Sequence, residues 1–536
     1  MIRIKDHKQR EIFDPWAFLS PKRRQLLDKS WSGLFQKEIL PVLPVKVIMP
    51  FFDSAIGRPS KELYTVLGVQ VLQQTFDLTD QEAIFQFAYN IQWHYALNIT
   101  EESDSAKYLS AKTLWSNRHM IAENGLEAIV FDAITDRLVK VFKADTGLQR
   151  IDSVHIKSNM RRLGRICIFT ESIHKFLVNL KRSHSAHFDS VKKRIVDKYL
   201  TEKALGCFSM VKPTEAQKTL KDVSKDLYEL AEQFKSVSEV TGMHSYKLIV
   251  RVLHEQCDLA PSEAKEPVTV KKPKNIPSDS LQNPSDPDAT YSGHKGQGYQ
   301  VQVMETFCDD GEKESPNLIT HVHVEPAHNS DANALMPAIE STKKRDLAPE
   351  KLLADSLYGS DDNEQRATEQ GVDIVAPTMG SPKKGNIGLA DFEVSEKNII
   401  ISCPNGKAPA IVKTKKQRVT VAFDMVYCKA CPHREHCPIK KGKEFFYLRY
   451  TQKEMRIARR RAYEQTDDFK DRYRWRAGVE ATMSEFDRKT GVKRLRVRGL
   501  KAVRFCATLK AAGVNIMRAA AARIAENVLE EAAYAV

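Results

Sequence analysis

The sequence lacks the short motifs that mark several large enzyme classes. It has no P-loop and no G-x-G-x-x-G after a strand-like run, which argues against chemistry driven by a bound nucleotide. It has no G-x-S-x-G turn of the kind that carries a hydrolase nucleophile. No apolar run reaches the roughly 18 residues that a membrane span needs, so we expect no membrane partner. The candidate functional residues are therefore carboxylates, cysteines and basic residues.

Features of secreted proteins are also missing. The opening stretch MIRIKDHKQREIF is too charged for the apolar segment of a signal peptide. Only nine cysteines occur in 536 residues, and this odd number fits a reducing cytosol better than a disulfide framework. We therefore expect a cytoplasmic protein.

Charge is distributed unevenly along the chain. A length of 536 residues exceeds what one hydrophobic core supports and predicts two to four domains. Lys and Arg number 83 against 69 Asp and Glu, a net charge of +14. Residues 451–500 carry 15 Lys and Arg and 8 Asp and Glu, so half the net charge lies in under a tenth of the chain. A localised basic excess favours a polyanionic partner.

The stretch from Asp471 to Gly499, DRYRWRAGVEATMSEFDRKTGVKRLRVRG, predicts one helix followed by a basic loop. An apolar stripe at helical spacing indicates that the helix packs against something. The stripe consists of Trp475, Val479, Met483 and Phe486. Gly491 is predicted to end the helix, since glycine is the usual residue just past a helix C-terminus.

A carboxylate stands beside a dense group of cations in this stretch. Tyr473, Arg476 and Glu480 share a face next to the apolar stripe. The loop then contributes four basic residues, Lys493, Arg494, Arg496 and Arg498. This arrangement suits metal-assisted chemistry on a phosphate backbone. The alternative is a surface helix with a stray Glu, in which Arg476 pairs with Glu480 and the basic tail is solvated.

Two aspartates stand where strands are predicted. Asp152 lies inside the strand-like run from Leu148 to Ile156, where an Asp is disfavoured unless a metal or a neighbouring Arg compensates its charge. Asp355 directly follows the short apolar run 351–354. The order of elements around it is typical of an α/β fold, and open α/β sheets bind ligands just past the C-terminal ends of central strands.

Four cysteines in a basic, strand-rich region form a second candidate site. They are Cys403, Cys428, Cys431 and Cys437, spaced C-x24-C-x2-C-x5-C. Thiolates at such spacing can hold a structural Zn²⁺, with His433 and His436 as competing ligands. The alternative is a small β insertion with four reduced thiols.

Changes of pattern divide the chain into seven segments. Residues 1–145 are predicted to be helical, either as a DNA-binding bundle or as a scaffold or dimerisation domain. The other segments are the first strand of the α/β core (146–170), a helical insertion (171–262), an extended Pro-rich linker (263–290), the continued core (291–379), a β-rich cysteine-containing insertion (380–450) and the C-terminal helices with the basic loop (451–536).

Several stretches together resemble the DDE transposases of bacterial insertion sequences. They are RIDSVHIKSNMRRLGR around Asp152, DPDATYSGHKGQGYQVQV, LLADSLYGSDDN around Asp355, YRWRAGVEATMSEFDRKTG around Glu480, and the N-terminal residues 51–100. The stretch around Glu480 resembles the Tyr-x2-Arg-x3-Glu-x6-Lys signature of one large group. The Lys of that signature is replaced by Asp487, and Lys489 is the nearest lysine.

The resemblance implies a fold, a site and partners. It implies an RNase H-like mixed sheet with flanking helices and a helical N-terminal DNA-binding domain. Asp152, Asp355 and Glu480 would hold two Mg²⁺ (or Mn²⁺) ions, with Tyr473, Arg476 and Lys489 at DNA phosphates. The partners would be the element's terminal inverted repeats and target DNA. The protein would be a homodimer when bound to DNA, and its cytoplasmic location would be at the nucleoid.

The resemblance implies metal-dependent DNA cleavage and strand transfer. Two other functions fit the same residues: a metal-dependent nuclease that cuts without joining, and a catalytically silent DNA-binding protein derived from a transposase. Detection of joined products separates the first alternative from a transposase.

Overall fold

The computed structural model describes residues 2–7, 14–53, 59–201, 208, 210–261, 264–309, 315–380 and 385–534, with backbone only for 529–534. In this part of the chain, no helix is long and apolar enough to cross a membrane.

The N-terminal region is helical, as predicted. Its α-helices are α1 (Pro21–Asp28), α2 (Trp31–Leu34), α3 (Val45–Ile48), α4 (Leu63–Thr75), α5 (Asp80–Tyr89), α6 (Ile91–Ala96), α7 (Asp104–Lys107), α8 (Ala111–Asn124) and α9 (Glu127–Phe142). A π-helical turn (Phe35–Ile39) and 3-10 turns (Leu40–Val42, Met49–Phe51) lie between them. Thr79 and Glu82 form a reciprocal capping box that starts α5. Gly125 ends α8 at φ +67°, a conformation that costs little only for glycine.

The central sheet has the mixed α/β topology that the sequence predicted. Its strands are β1 (Leu148–Lys157), β4 (Thr290–Ser292), β5 (Gly296–Thr306), β6 (Ile319–Pro326), β7 (Lys351–Leu353) and β8 (Asp373–Val375). The order across the sheet is β6-β5-β1-β7-β8, and β4 pairs with the start of β5. β5 is antiparallel to β1 and β6, whereas β1, β7 and β8 run parallel. Helices α16 (Leu335–Lys343) and α17 (Asp361–Glu369) connect the later strands, and a 3-10 turn (Asp331–Asn333) precedes α16.

A helical insertion with its own core separates β1 from β4. It contains α10 (Arg165–Ser183), α11 (Ser185–Asp189), α12 (Lys193–Leu200), α13 (Ala216–Phe234), α14 (Ser238–Thr241) and α15 (His244–Gln256), the strands β2 (Cys257–Leu259) and β3 (Val268–Val270), and the 3-10 turn Pro273–Asn275. The apolar faces of α10, α13 and α15 are buried against one another.

Residues 264–290 of the Pro-rich segment are packed onto the molecule, where an extended linker was predicted. Leu281 and Ala289 are fully buried. Arg251 on α15 donates to the backbone oxygens of Asp279 and Pro287 at 2.8 Å. Two carbonyls of the segment therefore accept from the Arg251 guanidinium, which holds the segment in place.

A second insertion is rich in short strands, as predicted. It contains β9 (Glu393–Val394), β10 (Ile400–Ser402), β11 (Ile411–Lys415), β12 (Arg418–Asp424), β13 (Lys440–Lys441) and β14 (Phe445–Thr451), the helix α18 (Met425–Lys429), and 3-10 turns (Leu389–Asp391, Arg434–His436). β11, β12, β14 and β13 form a four-stranded antiparallel sheet over a small apolar core.

The C-terminal region is helical, but the predicted single helix before Gly491 is broken. Its elements are α19 (Gln452–Tyr463), α20 (Asp467–Tyr473), the 3-10 segment Arg474–Ala477, α21 (Gly478–Thr490), the 3-10 turn Val492–Arg494 and α22 (Leu500–Tyr534). Gly491 ends α21 at φ +64°, as predicted. Trp475 packs with the cluster around Phe307 and Phe469, whereas the other stripe residues join the main core. The two ends of the stripe face different partners, which accounts for the break.

One hydrophobic core joins the N-terminal helices, one face of the sheet and the C-terminal helices. It contains α21 residues Val479, Met483 and Phe486 together with Val154 of β1 and Val301 of β5. α22 packs against α4, α9 and β6. The helix that carries Glu480 is therefore fixed by burial on both the sheet and the N-terminal region.

Candidate active site at the ends of β1 and β7

The register of the parallel strands brings Asp152 and Asp355 level with each other. Leu148 pairs with Lys351 and Arg150 with Leu353. If this pairing is extended by two residues, Asp152 lies opposite Asp355, which follows the end of β7. Neighbouring strands lie about 4.8 Å apart, so the two carboxylates share one edge of the sheet.

Asp152 is held by two donors in a poorly hydrated position. Its side chain is 17% exposed. Its Oδ1 accepts from the backbone N–H of Ser153 at 2.8 Å, and its Oδ2 accepts from Nη2 of Arg476 at 2.8 Å. Burial raises the pKa of Asp152 above its usual value; Arg476 and the Ser153 N–H oppose this, and the nearby charges of Asp355 and Asp331 add to it. A cation would relieve this accumulation of negative charge.

Glu480 reaches the same place from α21. It lies in the first turn of the helix, and its side chain is 71% exposed. Its Oε1 accepts from Nη1 of Arg476 at 3.2 Å. One guanidinium therefore contacts both Asp152 and Glu480. The Nε of Arg476 is buried and has no hydrogen-bond partner among the described residues.

Tyr473 borders the acidic group. Its ring stacks on Phe469 with centroids 5.4 Å apart. Burial raises the pKa of Tyr473, Arg476 lowers it, and the charges of Asp355 and Asp152 raise it further. The hydroxyl therefore stays protonated near neutral pH and lies within electrostatic reach of both aspartates.

The donor chemistry of the three acidic residues suits Mg²⁺ or Mn²⁺, which prefer carboxylate oxygens. Nevertheless, no group of three His, Cys, Asp or Glu in the described ranges is close enough together to hold a metal ion. The guanidinium of Arg476 contacts two of the three carboxylates, Asp152 and Glu480. Asp152, Asp355 and Glu480 fit the ion by the chemistry of their oxygens.

Two family models match the chain. One, described as a transposase DDE domain, matches residues 402–520, and the other, described as a transposase domain (DUF772), matches residues 26–120. Both matches support a DDE-type transposase. Its mixed sheet with flanking helices is the RNase H-like core that the resemblance implied. Glu480 lies inside a matched segment, whereas Asp152 and Asp355 lie outside both.

A solved structure was also found, the cryo-EM structure of a piggyBac transposase synaptic complex with hairpin DNA. It aligns over 97% of this transposase and 77% of that chain at 8% identity, with a TM-score of 0.29. A TM-score of this size carries no argument about fold or function. No curated protein matches the sequence.

The basic loop of the transposase is exposed but only partly unpaired. Arg496 contacts Asp77 before α5 at 3.1 Å, and Lys493 lies 3.7 Å from Asp487. Arg498 contacts the sulfur of Met160 at 3.3 Å. Arg494 is exposed and has no partner among the described residues. The ion pair between Arg496 and Asp77 fixes the loop against the N-terminal helices.

Lys489, the nearest lysine to the signature position, is paired within its own helix. Its Nζ donates to Glu485 at 2.6 Å, and its side chain is 44% exposed. It does not contact the three acidic residues. A contact from Lys489 to DNA near Glu480 stays a prediction.

The four cysteines of the β-rich insertion line one small cavity. Cys403, Cys428, Cys431 and Cys437 face it together with His433. Burial first, and then the three other thiols, raise the pKa of Cys428 to about 11. The four thiols are therefore gathered, and Cys428 is protonated near neutral pH, although no three of the described candidate ligands are close enough together to hold a metal ion. The pattern C-x24-C-x2-C-x5-C predicted this grouping, and the Zn²⁺ stays a prediction.

Two polar residues near the site were missed by sequence reasoning. Asp331 is buried, and its Oδ1 accepts from Nε2 of Gln302 at 2.8 Å. Lys295 donates to Oγ of Ser153 at 2.7 Å and lies 3.4 Å from Asp331. Lys295 belongs to the stretch DPDATYSGHKGQG, and the resemblance of that stretch to DDE transposases could have identified Lys295. Asp331 carried no local signal.

Proposed function

We propose that this transposase is encoded by a bacterial insertion sequence, binds the element's terminal inverted repeats, and cuts and joins DNA strands with divalent metal. The observation that carries the proposal is the convergence at one sheet edge. Asp152 on β1 is level with Asp355, which lies just past the end of the neighbouring parallel strand β7, and Arg476 connects Asp152 to Glu480.

Asp152, Asp355 and Glu480 are the residues that would hold two Mg²⁺ or Mn²⁺ ions. Metal bound there supplies the activation of the attacking water or 3′-OH and the neutralisation of charge on the leaving oxygen. The protein's own part is positioning, because phosphoryl transfer depends chiefly on orientation and charge. Poor hydration of Asp152 strengthens each electrostatic interaction in the site.

Arg476 and Tyr473 are placed to hold the scissile phosphate. The guanidinium is flat and offers paired donors that match phosphate oxygens, and its Nε is free of partners among the described residues. Arg476 would donate to phosphate oxygens in place of Asp152 and Glu480, the two carboxylates that would hold an ion. The protonated Tyr473 hydroxyl is a neutral donor beside it.

The basic loop and the N-terminal helices would bind the DNA backbone. Lys493, Arg494, Arg496 and Arg498 are exposed, and Arg496 connects the loop to Asp77. Such contacts supply affinity and register without sequence information. Two copies, one at each element end on the nucleoid, form the DNA-bound assembly that we propose.

Carboxamide variants test the proposal. Asp152→Asn, Asp355→Asn and Glu480→Gln should each abolish cleavage of a duplex carrying the element's terminal repeats. Gel shifts on the same preparations should stay near wild type, because phosphate affinity comes mostly from Lys and Arg. Asp471→Asn is the matched control, since Asp471 is 76% exposed and contacts only Arg474 at 3.7 Å.

The products identify the reaction class. Joined strands in the wild-type reaction support a transposase, cut but unjoined products would indicate a nuclease, and binding without cutting would indicate a silent DNA-binding protein. Wild-type cleavage by any of the three variants would remove that residue from the site. Mass photometry of the DNA complex reports whether two protomers are present.

A further inference from the structure

Glu305 on β5 is a fully buried carboxylate that the proposed chemistry does not use. Its side chain is 0% exposed. It stands directly opposite Arg150 in the antiparallel β1–β5 pair. Directly paired residues project to the same face of a sheet, here the face that α21 and α22 cover. A carboxylate in such a position needs donors for both oxygens.

Three different elements supply those donors. Arg150 of β1 donates from Nε to Oε1 at 2.8 Å, and its Nη2 lies 2.7 Å from the same oxygen. Thr482 of α21 lies 2.8 Å from Oε1 and 2.7 Å from Oε2. Arg518 of α22 donates to Oε2 at 2.9 Å. Glu305 therefore joins one strand and two helices at a single point.

Two of these three contacts, Arg150 and Thr482, are each two residues from a candidate metal ligand. Arg150 precedes Asp152 by two positions on β1, and Thr482 follows Glu480 by two positions on α21. The separation between the strand that carries Asp152 and the helix that carries Glu480 is therefore set through Glu305.

The segment that carries Arg476 is held by the same group. Arg150 donates from Nη1 to the backbone oxygen of Trp475 at 2.8 Å. Gly478 allows this approach, since a Cβ there would lie 2.0 Å from the Arg150 Nη1. The contact lies immediately before Arg476 and at the start of α21.

The arrangement is poorly explained as a device for stability alone. Desolvation of buried charges offsets much of their attraction, so apolar residues of similar size can stabilise a core equally well. Directional bonds from one carboxylate to three elements instead define distances between those elements.

We propose that Glu305 is a positioning residue of the active site. It would contact neither metal nor DNA. It fixes the position of α21 relative to β1, so that Asp152 and Glu480 can bind the same ion. The inference rests on the proposed metal site. Residues that orient metal ligands typically change metal affinity about 10- to 100-fold when they are replaced.

The test measures Mn²⁺ binding to the full chain by electron paramagnetic resonance, without DNA, alongside thermal unfolding. Glu305→Gln keeps the shape and removes the charge. We expect Mn²⁺ affinity about tenfold weaker, with a cleavage rate that approaches wild type at high metal concentration because all three ligands remain. Thr482→Val removes one donor from Glu305 and should give a smaller shift in the same direction, even if Glu305→Gln does not fold.

The matched control is Asp226→Asn in the helical insertion. Asp226 is also a buried carboxylate with three donors, Arg194, Lys198 and Tyr199. It should lower thermal stability and leave Mn²⁺ affinity unchanged.

The two proposals fail differently. Cleavage by the Asp152, Asp355 and Glu480 variants would overturn the proposed function. If those variants are inactive while Thr482→Val and any folded Glu305→Gln bind Mn²⁺ like wild type, the positioning role of Glu305 is overturned.

Discussion

Arg476 donates to Oδ2 of Asp152 at 2.8 Å, across 324 positions of sequence. The same guanidinium contacts Glu480 at 3.2 Å, four residues away. Sequence reasoning offered a DNA contact or a helical pair with Glu480 as alternatives. In the structure Arg476 makes the local pair and a long-range ion pair together, so it occupies the space between two proposed metal ligands.

Removal of Arg476 should change both metal and DNA binding. Because Arg476 pairs with Asp152, Arg476→Ala should bind Mn²⁺ or Mg²⁺ about fivefold more tightly, since an ion pair worth about 1 kcal/mol no longer competes. Cleavage should still be slower, because the phosphate loses a paired donor. Calorimetric titration measures the metal affinity, and single-turnover cleavage measures the rate.

Arg474→Ala is the control for this experiment, because Arg474 lies two residues away and contacts only Asp471 and the Trp475 ring. Arg476→Lys should restore the rate only in part, since an ammonium lacks the planar fork. Unchanged metal affinity together with a wild-type rate in Arg476→Ala would mean that the residue serves the helix alone.

Asp152→Asn should stabilise the metal-free protein. The pKa of Asp152 is raised in the folded state, so the folded state binds this proton more tightly than the unfolded state does. Stability is then lost as the pH rises from the ordinary value of 3.8 through the folded value, and the loss persists at neutral pH. We expect a melting temperature about 1–3 °C higher for Asp152→Asn at pH 7.5.

This advantage should disappear below about pH 3, where the pH is under both pKa values and wild-type Asp152 is mostly protonated in both states. Differential scanning fluorimetry across pH, with chelator present, makes the comparison. A variant that is less stable than wild type at pH 7.5 would show that the Arg476 pair outweighs the cost of burying the charge.

The four-cysteine cavity should bind about one Zn²⁺ per chain. The raised pKa of Cys428 means that binding must displace thiol protons, so affinity should rise steeply with pH between about 6 and 8. Cys428→Ser should lower the zinc content and expose residues 385–450 to protease, whereas Cys167→Ser in the helical insertion should do neither. Elemental analysis of protein purified without chelator measures the zinc content per chain. A wild-type protein that is folded and free of zinc would refute the site.

Two arginines of the basic loop should differ in their contribution to DNA binding. Arg494 has no partner among the described residues and should contact phosphate, so Arg494→Ala should reduce the slope of log K against log salt by about 1. Arg496 is paired with Asp77, and Arg496→Ala should reduce the slope less and loosen the loop from the N-terminal helices. Equal slopes for the two variants in fluorescence anisotropy would contradict this division.

Local sequence signals predicted the elements and the candidate residues of this protein. The Gly491 helix end and the strand around Asp152 follow from spacing and residue type within a few positions. The basic residues of the loop likewise lie close together in the sequence. These features depend on short-range geometry, which a sequence displays directly.

Only the tertiary structure decided which of these residues meet. The Arg476–Asp152 pair, the Arg496–Asp77 pair and the three donors of Glu305 connect residues that are 155 to 419 positions apart. The break between Trp475 and Val479 likewise depends on two separate hydrophobic clusters. Burial and charge pairing are set by which surfaces pack together, and no spacing along the chain encodes that choice.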